Sequence, residues 1–91
     1  MTIKIHIPSP LRACCDGVAE LSLSAESVRA ALEEIERRHP ALYRSVCDET
    51  GRARRHVNLF VNLSDVRERN GLDTLLVPGD TITILPAVSG G

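Results

Sequence analysis

Ser27-Val28-Arg29-Ala30-Ala31-Leu32-Glu33-Glu34-Ile35-Glu36-Arg37-Arg38-His39-Pro40 is the stretch on which the fold turns. Val28, Ala31, Leu32 and Ile35 recur at helical spacing and form one apolar stripe, with charged side chains on the opposite face. The small polar residues between Ser24 and Ser27 offer an N-cap, whose oxygen would satisfy a free N–H of the first turn. Glu33 with Arg37 and Glu34 with Arg38 are predicted to pair at i,i+4, while Arg37, Arg38 and His39 suit the negative end of the helix dipole. Pro40 ends the helix, because a residue before proline is driven out of the α region. Residues 41–46 add a short helical turn with Leu42 and Val46 inward.

On either side of this helix the period changes from helical to alternating. Residues 2–7 place Ile3, Ile5 and Ile7 on one side and Thr2, Lys4 and His6 on the other, which predicts a strand with one buried face. After the Pro8-Ser9-Pro10 break and an irregular stretch to Gly17, residues 18–23 alternate again through Leu21 and Leu23, giving an antiparallel partner across a long loop. Downstream, Asp48-Glu49-Thr50-Gly51 is turn chemistry, and Val57, Leu59 and Val61 form one face of a third strand whose other face carries His56, Asn58 and Phe60. A short edge segment is expected around Val66, and Pro78-Gly79-Asp80 fits a type II turn with glycine at the position that needs positive φ. Residues 81–85 point Ile82 and Ile84 inward, and Pro86 is expected to bar regular continuation. Every inward stripe can meet the helix's single stripe if a curled sheet grips it.

The 91 residues make one domain, and 43% hydrophobic with 25% charged residues is ordinary globular composition. Only Tyr43 and Phe60 are aromatic, which argues against base stacking. Eleven basic against twelve acidic residues leave a net charge of -1, so no whole-molecule field draws the chain to nucleic acid or to a membrane. No apolar run nears the roughly 20 residues that span a bilayer. Residues 1–20 lack a secretory layout, so the expected location is cytoplasmic. Cys14, Cys15 and Cys47 are odd in number with two adjacent, which points to reduced thiols and not to disulfides.

The sequence has no phosphate-cradling glycine loop, no Gly-x-Ser-x-Gly, no His-Glu-x-x-His and no Cys-x-x-Cys. Adjacent cysteines lack zinc-ligand spacing, so no metal site is expected. His6 and His56 read as solvated histidines on the outer sheet face. Arg52, Arg54 and Arg55 form a basic run, either a solvated loop or a docking element. From Thr81 to Gly91 there is no charged side chain, and the chain ends on Gly90-Gly91. Two glycines can slide through a narrow channel where a Cβ would collide. Composition alone leaves open whether this tail enters a partner or is a frayed end.

The segment His56-Val57-Asn58-Leu59-Phe60-Val61-Asn62, then Asp65-Val66-Arg67, Gly71-Leu72-Asp73-Thr74, Pro78-Gly79-Asp80 and Ile84-Leu85-Pro86-Ala87-Val88-Ser89-Gly90-Gly91, resembles the MoaD/ThiS family of ubiquitin-like sulfur carriers. Residues 5–12 and Thr50-Gly51-Arg52 also match, and the details are most similar to the CysO type. The resemblance implies an α+β, ubiquitin-like β-grasp fold over residues 1–91: a mixed four- to five-stranded sheet on one main helix, with residues 85–91 as an extended tail.

Functionally, it implies a carrier and not an enzyme. A ubiquitin-activator-like adenylating enzyme would use ATP and Mg²⁺ to activate the Gly91 carboxylate. A sulfur donor, a rhodanese or a cysteine desulfurase, would then leave a thiocarboxylate for a synthase such as a cysteine synthase. Pro86, Ala87, Val88, Ser89 and Gly90 would thread the partner's active site. Phe60 and Leu85, apolar on outward positions of neighbouring strands, together with Arg52, Arg54 and Arg55, would meet its surface. The alternatives within the resemblance are a small subunit of molybdopterin synthase and a protein modifier joined to lysines.

Overall fold

The computed structural model of the protein describes residues 2–86. Strands β1 (Ile3–His6) and β2 (Glu20–Leu23) precede helices α1 (Val28–Arg38) and α2 (Pro40–Val46), and β3 (Val57–Val61), β4 (Ser64–Asp65) and β5 (Thr81–Pro86) follow. The five strands form one mixed sheet in the order β2-β1-β5-β3-β4, with β1 parallel to β5 and the other pairs antiparallel. The central place of β5 follows from its sequence, since Ile82 and Ile84 are fully buried between the neighbouring stripes of β1 and β3. All the alternating inward residues, Ile3, Ile5, Leu21, Leu23, Val57, Leu59 and Val61, join Val28, Ala31, Leu32 and Ile35 of α1 in one core. This is the β-grasp arrangement.

Local chemistry fixes where α1 starts and stops. Ser27 has extended backbone, and its Oγ accepts a hydrogen bond from the Ala30 N–H at 3.1 Å. The segment 74–76 is tied to the same end, for Val28 N–H donates to Thr74 O at 3.0 Å and Leu76 N–H to Glu26 O at 2.9 Å. Thr74 itself is buried, and its Oγ1 donates to Gly71 O at 2.7 Å and accepts from the Asn70 N–H at 3.2 Å. Pro40 ends α1 and opens α2, where its missing N–H costs nothing. Leu42 and Val46 of α2 are fully buried, as the sequence predicts.

Four expectations are corrected. The stretch after Pro8 is a 3₁₀ turn over Ser9–Cys15 that buries Cys15 and rests Leu11 and Cys14 on the core. It reverses through Asp16 and Gly17, both at positive φ. Arg37 pairs with Glu34 one turn back, and Arg38 reaches across to Ser22 O at 3.5 Å, so the two i,i+4 pairs are replaced. The edge segment is the two-residue β4, ahead of Val66, which opens a 3₁₀ turn. Leu85 and Pro86 belong to β5 and not to an extended tail, and the rest of the expected tail, residues 87–91, lies outside the described residues. The last point has a hydrogen-bonding reason. Val57, the partner of Pro86, donates its N–H to Arg54 O at 2.9 Å, away from β5, which makes Val57–Pro86 a non-hydrogen-bonded pair where a missing N–H does no harm.

The type II turn is found as expected: Asp80 N–H donates to Val77 O at 3.1 Å and Gly79 has φ +92°. At the same end Asn62, itself at φ 56°, donates from Nδ2 to Asp80 Oδ1 at 3.0 Å and accepts from the Thr81 N–H at 3.1 Å. These bonds lock the start of β5 and so fix the line along which it runs toward its other end.

Candidate functional site

The chain leaves the described structure at Pro86, at the end of the central strand. Val57 of β3 stands beside Pro86, and Asn58 beside Leu85. Ala87, Val88, Ser89, Gly90 and Gly91 lie outside the described residues. What the fold supplies is a fixed launching point: a strand held on both flanks, whose last residue is a proline that restricts its own φ.

The outer face of the sheet carries the second set of candidates. The registers align Glu20, His6, Thr83, Phe60 and Asp65 in one row across β2, β1, β5, β3 and β4. Leu85 lies diagonal to Phe60, on the same face of the adjacent strand, so the structure brings the two together as the alternation predicts. Leu85 is 44% exposed and Phe60 is half-buried. Their neighbours Thr83 and Asn58 are uncharged, so the patch at the tail's exit is apolar with a polar margin.

Arg67 closes the margin on the β4 side; the sequence reading quoted it only within the Asp65-Val66-Arg67 motif and gave it no role of its own. Its Nη2 donates to Asp65 Oδ2 and to Asn58 Oδ1, both at 2.8 Å, and its own N–H donates to Asp65 Oδ1 at 2.8 Å. These hydrogen bonds hold the Asp65 carboxyl below its ordinary range. The available signal was Asp65 two residues before Arg67 behind a turn, an arrangement that suits a carboxylate accepting from the i+2 N–H.

The basic run precedes β3 and therefore also sits near the exit. Arg54 is anchored, its Nε donating to Arg44 O at 2.7 Å and its N–H to Val46 O at 2.8 Å, while Arg52 and Arg55 are exposed. Asp48 organises the turn before them. Its Oδ1 accepts from Thr50 Oγ1 at 2.6 Å, Thr50 N–H at 2.8 Å and Arg52 N–H at 3.2 Å, and these bonds lower its pKa.

Cys15 and Cys47 are buried free thiols. Burial pushes the Cys47 thiol up to about 11. Cys15 is likewise raised, first by burial and then by Cys14 and Asp16. A protonated, buried thiol is a poor nucleophile. Cys14, half-buried, lies 3.8 Å from Ser45 Oγ. Among the described residues no group of three or more His, Cys, Asp or Glu side chains is arranged to hold a metal. His6 is exposed on the outer face of β1, and His56 is exposed just before β3. Among the described residues no helix is long and apolar enough to cross a membrane.

Comparison with known proteins agrees with this geometry. Residues 5–91 match the ThiS family. The chain is 36% identical over 93 residues to the sulfur carrier protein CysO of Mycobacterium tuberculosis H37Rv, with all of both chains covered. A crystal structure of the BexX/CysO complex of Amycolatopsis orientalis contains a chain that superposes with a TM-score of 0.89 at 34% identity, covering 98% of this chain and 99% of that one. The solution structure of small archaeal modifier protein 1 from Methanosarcina acetivorans gives a TM-score of 0.84 at 34% identity, covering 99% and 96%. With its β-grasp fold and this likeness along its whole length, the chain belongs to the ThiS family and is a sulfur carrier of the CysO kind.

Proposed function

We propose that Gly91 is the atom-bearing end of the carrier. A partner adenylating enzyme, using ATP and Mg²⁺, joins the Gly91 carboxylate to AMP with release of pyrophosphate. Sulfide attacks the acyl carbon and AMP leaves with the bonding pair. Where the donor, a rhodanese or a cysteine desulfurase, attacks with its persulfide, the resulting acyl disulfide is cleaved by a second thiol that ends disulfide-bonded to the donor sulfur. By either route one oxygen of the original carboxylate is replaced by sulfur. The thiocarboxylate then gives its sulfur to an acceptor synthase, a cysteine synthase being the favoured kind. All of this takes place in the cytoplasm, and the catalytic groups belong to the partners. This chain supplies the acceptor carboxylate, the Pro86–Gly91 arm and the docking face around Phe60 and Leu85.

The full-length likeness to CysO sulfur carriers, running through Gly90-Gly91, carries this reading. The fold supports it physically. A carboxylate is a weak acyl electrophile, and a short uncharged arm on the end of a rigid strand can present it inside a water-excluding site. Incubation with the cognate adenylating enzyme, ATP and sulfide should add about 16 Da to the C-terminal peptide, one oxygen exchanged for sulfur. Deletion of Gly91 should abolish the addition. Its appearance on Cys14, Cys15 or Cys47 would overturn the reading.

Likeness to an archaeal modifier protein at 34% identity favours one second reading, attachment of Gly91 to lysines of other proteins. Self-chains would have to use Lys4, the only lysine, whose Nζ lies 3.8 Å from Glu20 Oε1 on the outer face of β1. Tryptic digests of host proteins after expression of a tagged chain separate the two, by isopeptide adducts in one case and thiocarboxylate in the other.

A further inference from the structure

Beside the exit of β5, on the side away from Leu85, a groove of about 250 Å³ runs between the basic segment and the 66–72 segment. Its apolar lining comes from Ala53, Val57, Val66 and Leu72. Arg52, Arg54, Arg55 and Arg67 complete it, and no Asp or Glu lines it. Four guanidiniums around an apolar floor are unusual in a chain whose net charge is -1. Arg54 and Arg67 are preset by their bonds to Arg44 O and to Asp65 and Asn58, so they lose little freedom when they bind. Arg52 and Arg55 form no side-chain ion pair among the described residues and keep their charge available.

The position decides what can fill it. Val57 forms part of the groove and is also the strand partner of Pro86. A protein that encloses residues 87–91 has to stand over Pro86, and it thereby stands over the groove. Arg67 bridges the two surfaces, since it lines the groove while its Nη2 bonds Asn58, the partner of Leu85.

We propose that this groove takes an acidic segment of the protein that receives the C-terminal tail, with one apolar side chain seated on Val57, Val66 and Leu72 and flanking carboxylates on the arginines. Complementary charge selects and orients the partner, and the apolar seat keeps it there. This rests on the reading of Gly91 as the carrier terminus, and it adds Arg67, Val66 and Leu72 to the recognition surface.

The test uses full-length chain and the cognate adenylating enzyme, with ATP–pyrophosphate exchange as the readout at low and at high salt. Arg52→Glu/Arg55→Glu alters exposed side chains and should keep the circular dichroism spectrum of the parent. Its KM for the enzyme should rise roughly tenfold to a hundredfold at low salt, with kcat unchanged and the gap narrowing as salt increases. Leu72→Ala should raise KM roughly threefold to tenfold at either salt concentration. An unchanged KM in the folded double variant, with the parent active, overturns the groove and leaves the carrier reading standing. Absence of exchange with the parent chain overturns the carrier reading and the groove together. ATP alone is the second probe: saturable binding to the free chain that the double variant loses, with KM unchanged, would make the groove a small-anion site and overturn the protein-segment assignment.

Discussion

The inner and outer faces of the sheet are drawn from the same strands and differ by one residue of register. On the inner face Ile3, Ile5, Val57, Leu59, Val61, Ile82 and Ile84 are buried against α1. On the outer face Lys4, His6, Asn58, Phe60, Thr81, Thr83 and Leu85 are half-buried or exposed. The difference teaches that alternation lets a short chain keep two jobs apart: one face holds the fold and the other is free to meet a partner. Phe60 lies between Leu59 and Val61, both 1% exposed, so neighbouring residues should fail in different assays when altered.

The largest contrast should come from a pair of substitutions. Ile84→Ala removes a fully buried side chain from the central strand and should cost about 2–5 kcal/mol of folding stability, read by urea denaturation. Phe60→Ala should leave the fold largely intact and instead weaken binding to the adenylating enzyme by about 1–3 kcal/mol, read by titration calorimetry. A Phe60 variant that unfolds would place that ring in the core and undo the division between the faces. Unchanged affinity in a folded variant would remove the outer patch from the interface.

Thr74 tests whether the inner side tolerates polarity only when it is bonded. Thr74→Val keeps the shape but removes the hydroxyl that donates to Gly71 O and accepts from the Asn70 N–H, so it should cost about 1–3 kcal/mol. Ser27→Ala removes a cap from the start of α1, at the rim of the core, and should cost about 1 kcal/mol. If the cap outweighed Thr74, the strap from 70 to 76 would matter less to the helix start than its two backbone bonds imply.

How much of this was legible in the sequence follows the same division. The inner face was read residue by residue, because period two in Ile3, Ile5 and Ile7 or in Val57, Leu59 and Val61 is a direct record of one-sided burial. The pairing of Phe60 with Leu85 on one face was legible for the same reason. What escaped lacks a period. The 3₁₀ turn at Ser9–Cys15 is built from one proline, a Leu and two Cys whose burial depends on α2 arriving above them. The partner of Arg37 is a rotamer choice between two glutamates one residue apart. Pro86 was read as a strand breaker because its hydrogen-bond phase relative to Val57 depends on register, which a single strand's sequence does not contain. The groove, and the bond of Arg67 to Asn58, escaped because their two sides come from separate segments, residues 52–58 and 66–72, which only the fold brings together.

Acid should affect the partner-facing region while leaving the inner face untouched. The only titratable side chains among the described buried residues are the Cys15 and Cys47 thiols, and burial keeps both protonated at every acid pH. The carboxylates that matter are Asp48 and Asp80 in loops and Asp65 at the end of β4, and each has its pKa lowered by hydrogen bonds. A folded value below the ordinary 3.8 means that each adds stability above that pH and loses it as pH falls through the lower folded value. The thermal midpoint should therefore decline as pH falls below about 4, while inner-face amides keep their hydrogen-exchange protection longest. Asp48→Asn removes the charge that collects the Thr50 and Arg52 N–H groups and should flatten that decline, with its midpoint approaching the parent's at the acid end. A variant whose acid slope matches the parent's would show that the turn holding Arg52 does not depend on the Asp48 charge, and the acid response would then belong to Asp65 at the end of β4 and Asp80 just before β5.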